Sequence, residues 1–89
     1  MSNPELRDKL QQLQHELGQA KPADEHTQAR MQHLQRQVQG VLDSPEPTPA
    51  HLRSLREQLH EAIEEFEVSH PALTWAISDA LDTLSLMGI

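Results

Sequence analysis

The chain has 89 residues, a formal charge of −7, no Cys, one Trp, one Phe and no Tyr. This length bounds it to one domain, and the missing Cys excludes disulfides and thiolate metal sites. Net acidity argues against nucleic acid and against anionic lipid, because both are held mainly by Lys and Arg.

No apolar run approaches the roughly 18 residues of a membrane span. Met1-Ser2-Asn3-Pro4-Glu5 opens with no basic region ahead of an apolar one, so a cytoplasmic chain without a signal peptide is expected. With so few aromatics, the core must come from Leu, Val, Ile, Met and Ala. A core that small often needs a further staple, and self-association is the one left.

The first helix is predicted from about Asn3 to Gln19. Leu6, Leu10, Leu13, Leu17 and Ala20 recur at steps of 4, 3, 4 and 3, the a/d stripe of a heptad seam. Ser2 and Glu5 have capping-box spacing, and Gly18 with Lys21-Pro22 ends the helix. The second helix is predicted from about Ala23 to Leu42, with Asp24 and Glu25 in its first turn and a weaker stripe of Thr27, Met31, Leu34, Val38 and Val41. Prolines at 45, 47 and 49 then mark a stiff linker over residues 44–49.

The third helix is predicted from near Thr48, with Leu52, Leu55, Leu59, Ala62 and Phe66 on its stripe. Ser69-His70-Pro71 stops or kinks it, since Pro71 lacks an amide hydrogen. Ser69 as N-cap would put Val68 and Leu73 at the two positions of a hydrophobic staple. The fourth helix carries Leu73, Ile77, Ala80, Leu84 and Met87 and ends at Gly88. The fold class expected is therefore all-α: two helical hairpins, residues 1–43 and 50–89, whose last two segments could also form one Pro-kinked helix. The narrow stripes suit a small bundle or a coiled-coil-like oligomer, a dimer first.

Charge is unevenly placed. Residues 57–89 hold seven acids and no Lys or Arg, whereas residues 1–56 hold seven of each sign. Two surfaces follow. Trp75, Leu86 and Ile89, with Asp79 and Asp82, fall opposite the apolar stripe of the fourth helix, either as an intermolecular contact centred on Trp75 or as an exposed Trp lying against a neighbouring loop or the proline linker. Glu57, Glu61 and Glu65 follow one another at successive turns of the third helix, either as a solvated face or as a docking face for a basic partner.

Chemistry finds less support. Glu57-x-x-His60 is half of a di-iron bundle motif without its second copy, and His60-Glu61 lacks the second His of a zincin helix. No metal or cofactor is expected, and a metal-dependent enzyme on Glu57, His60 and Glu61 is a remote reading. His70 sits at the helix junction, where it could cap the third helix, bond Ser69 or act as a pH-sensitive contact. Ser69 reads more simply as a cap than as a nucleophile, so no enzyme activity is expected.

Phe66-Glu67-Val68-Ser69-His70-Pro71, the terminal Leu84-Ser85-Leu86-Met87-Gly88-Ile89 and the leucine-rich opening together resemble the short bacterial family catalogued as domain of unknown function 4404. That resemblance implies a bacterial, cytoplasmic protein with no assigned activity. The function expected is association: a homo-oligomeric acidic bundle, or alternatively a helix-binding adaptor or inhibitor that orders on a basic protein.

Overall fold

The computed structural model describes residues 4–89. It has four helices: α1 (Pro4–Gln19), α2 (Glu25–Asp43), α3 (Pro49–Phe66) and α4 (Pro71–Leu86). The starts of α2, α3 and α4 follow from local chemistry. Pro49 and Pro71 occupy first-turn helical positions, where a missing N–H costs nothing. Asp24 caps α2 by accepting the Thr27 N–H at 2.8 Å. That N–H, with the Thr27 side chain second, holds the Asp24 carboxyl below its ordinary value. Thr48 Oγ1 accepts the His51 N–H at 3.2 Å and caps α3. The Ser2 half of the expected capping box lies outside the described residues.

Two end signals act differently from expectation. Gly18 lies inside α1, which runs on to Gln19 before Pro22. At α4 the N-cap is His70, not Ser69, and it makes no side-chain capping bond. The His70 N–H is taken by the Phe66 carbonyl at 2.8 Å, closing the last turn of α3. The non-helical residue before the proline is therefore His70 itself, at φ −137° and ψ 73°. The staple fails with the cap, and Val68 is 92% exposed.

Consecutive helices pack as antiparallel neighbours, and α1 closes the ring against α4, with no backbone contact across either diagonal. This is an up-down-up-down four-helix bundle. α3 and α4 fold back on each other as two helices and do not form one kinked rod. The proline segment is a short connection between packed neighbours, not a spacer between separate units.

All four stripes meet in one core. Leu6, Leu10, Leu13 and Leu17 join Met31, Leu34, Val38 and Val41, then Leu52, Leu55, Leu59, Ala62 and Phe66, then Leu73, Ile77, Ala80 and Leu84, all buried. The stripes of the two hairpins are thus sides of a single core within one chain. Ala20 and Met87 pack at its edge. Among the described residues, the one buried polar residue, Thr83, donates its hydroxyl to the Asp79 carbonyl at 3.1 Å.

Candidate functional site on the outer face of helix 4

Polar contacts between helices decide which surfaces remain open. On α1, Arg7 donates to the Leu42 carbonyl at 2.9 Å, supplying the cation that the last turn of α2 lacks. Gln14 donates to the Gln35 carbonyl and to Gln39 Oε1. Both bonds turn α1 toward α2.

The α3 acidic face is largely engaged. Arg30 of α2 reaches Glu61 through Nη2 and Glu65 through Nε, each at 2.9 Å, and His26 Nε2 lies 3.1 Å from Glu65. Two of the three stacked glutamates therefore belong to a ladder between α2 and α3, and Glu57 is left exposed without them. Sequence reasoning missed Arg30, because no periodicity within one helix shows which neighbour stands beside it.

At the α3–α4 junction, His70 Nε2 lies 2.7 Å from the Lys21 carbonyl and Nδ1 lies 2.8 Å from Ser69 Oγ. A carbonyl only accepts, so Nε2 carries the hydrogen. In the neutral ring Nδ1 then accepts from the Ser69 hydroxyl. Phe66 packs against the ring edge-to-face with centroids 5.7 Å apart. His70 thereby ties the α3–α4 turn to the segment after α1. Pro71 fixes the backbone beside it. The bond to Ser69 joins sequence neighbours on an exposed turn, and serves this tie.

The outer face of α4 remains. Trp75 is 75% exposed and Leu86 is 82% exposed. Asp79 and Asp82 stand between them on the same face, Asp79 half-buried and Asp82 exposed. Ile89 is not with them. Gly88, at φ +84°, reverses the chain after Met87. The Ile89 N–H bonds to the Leu84 carbonyl at 3.1 Å and the Gly88 N–H to the Ser85 carbonyl at 3.0 Å. This is a complete Schellman turn, and it folds Ile89 back against the core.

Beside this face, α1 and α4 leave a shallow groove of about 470 Å³. Ala72 and Ala76 line it together with Asp8, His15, Glu16 and Asp79, with no Lys or Arg in the lining. Among the described residues, no group of three or more His, Cys, Asp or Glu is placed to hold a metal ion. No described helix is long and apolar enough to cross a membrane.

A family sequence model described as domain of unknown function (DUF4404) matches residues 6–89. The chain belongs to that family. The matched DUF4404 segment contains all four core stripes, the Ser69-His70-Pro71 junction and the whole outer face of α4. No curated protein and no solved structure matches the chain.

Proposed function

We propose that the protein acts by association, as a preformed, non-catalytic helical bundle whose α4 outer face meets another protein surface. One observation carries this reading. Two large apolar side chains, Trp75 and Leu86, stand exposed on one side of a helix whose opposite side is fully used by the core. Single exposed apolar residues are ordinary, but a Trp and a Leu sharing one face form a contact surface. Covering the exposed part of Trp75 is worth about 2–4 kcal/mol.

A homodimer and a complex with a different protein are both forms of such association. The core stripes close inside one chain, so the contact of a homodimer must use the surface. The absence of Cys suits a reducing bacterial cytoplasm as the setting.

Light scattering over a concentration series, on the wild type and on Trp75→Ala, tests the reading together with Trp75 emission in the presence of candidate partners. Association that Trp75→Ala weakens supports it. Association that Trp75→Ala and Leu86→Ala leave unchanged moves the surface elsewhere.

A further inference from the structure

The α4 outer face has an internal order. Trp75, Asp79, Asp82 and Leu86 follow at steps of 4, 3 and 4, the same spacing as Leu73, Ile77, Ala80 and Leu84 on the core side. α4 therefore carries two stripes in equal register on opposite sides. The inner stripe is apolar throughout and buried. The outer stripe is apolar only at its ends, about 16 Å apart along the axis, with two carboxylates between.

That order is poorly suited to pairing with itself. In an antiparallel pair centred on the stripe, each Asp79 faces the Asp82 of the second copy, and in a parallel pair each Asp faces its own equivalent. Helix axes pack about 8–10 Å apart, so either arrangement gathers four carboxylates in the middle of the contact as it loses water. Like charges set opposite one another at an interface disfavour the pairing.

The surroundings add the same sign. The adjoining groove contributes Asp8 and Glu16, and no Lys or Arg occurs anywhere in residues 57–89. Lys9 of α1 does not line the groove. On α3, by contrast, Arg30 already answers Glu61 and Glu65.

We propose that the α4 outer face takes a basic amphipathic helix from a different protein, and not a second copy of this chain. This rests on reading α4 as the association surface and names the occupant. The complementary helix carries apolar residues at positions i and i+11 and Lys or Arg at i+4 and i+7. Laid antiparallel, it sets i on Leu86, i+4 on Asp82, i+7 on Asp79 and i+11 on Trp75.

The test uses the full chain and two synthetic peptides of about 18 residues, long enough to hold a helix on contact. They share the i and i+11 apolar residues and differ only in Lys or Glu at i+4 and i+7. Trp75 is the only Trp, so its emission reports occupancy of the face directly. The expected result is a saturable blue shift with the Lys peptide that weakens between about 0.05 M and about 0.5 M salt. Asp79→Asn with Asp82→Asn should weaken binding about 2- to 30-fold, the range for two exposed ion pairs. Asp79→Lys with Asp82→Lys should transfer the preference to the Glu peptide.

Equal binding of both peptides to the wild type overturns the proposal. So does the absence of any shift at millimolar peptide. Light scattering separates the two levels of failure. A dimer broken by Trp75→Ala, with no peptide binding, keeps α4 as the association surface and refutes the basic helix. A monomer that binds neither peptide refutes both.

Discussion

Leu59 and Leu86 test the claim that one chain closes its own core. Leu59 is fully buried at the middle of α3, whereas Leu86 is 82% exposed at the end of α4. Truncating Leu59 to Ala removes its share of apolar burial and leaves a void that a rigid bundle fills only in part, at a cost of about 2–5 kcal/mol. Unfolding entropy for 89 residues is about 0.19 kcal/mol/K, so Tm should fall by about 11–27 °C. Total stability for this length is about 4–13 kcal/mol, so the variant stands near the folding threshold. Leu86→Ala should change stability by no more than about 0.5 kcal/mol. The assay is thermal denaturation by circular dichroism at several protein concentrations. A core closed within one chain gives a Leu59 penalty independent of concentration. A penalty that shrinks as concentration rises would mean that identical chains close the stripes between them, and the single-chain core would be wrong.

Other outcomes follow from local geometry. A Cβ at Gly18 or Gly40 meets nothing within 4 Å, so each Gly→Ala change should stabilise the protein by about 0.5–1 kcal/mol in chemical denaturation. Gly88→Ala should instead destabilise by about 1–2 kcal/mol, since φ +84° disfavours a side chain. Arg30→Ala should cost about 1 kcal/mol or less, and high salt should shrink the difference between melts, because the Glu61 and Glu65 pairs are partly solvated. The Asp24 carboxyl is depressed below 3.8, so its capping contribution is present above that value and is lost as pH falls through the lower folded value. Asp24→Ala should therefore lower Tm at neutral pH, by a margin that closes in strong acid.

The stripes were legible because burial in a bundle repeats with the turn of a single helix. The buried residues from Leu6 to Leu84 that this period singles out make up the core, with Ala20 and Met87 at its edges, whereas Thr27 is only half-buried. Reading failed where a second influence competes. Ser69 has the right chemistry for an N-cap, but the last turn of α3 claims the His70 N–H, and the cap moves to His70. Ile89 falls on the outer face only if the helical angle is carried past Leu86. The turn at Gly88 sends it to the opposite side.

The two acidic surfaces show why charge counting alone could not choose between them. Both lie within the segment that has no Lys or Arg, and both repeat at helical spacing. Which one stays unanswered depends on the neighbour that packing supplies. α3 stands beside α2, whose Arg30 spans two glutamates at once. α4 stands beside α1, whose Arg7 turns away to the Leu42 carbonyl and whose groove-facing residues add Asp8 and Glu16. An acidic stripe beside an acidic groove, bracketed by an exposed Trp and an exposed Leu, stays unbalanced in this chain. That imbalance is what a basic helix would relieve and a second copy would double.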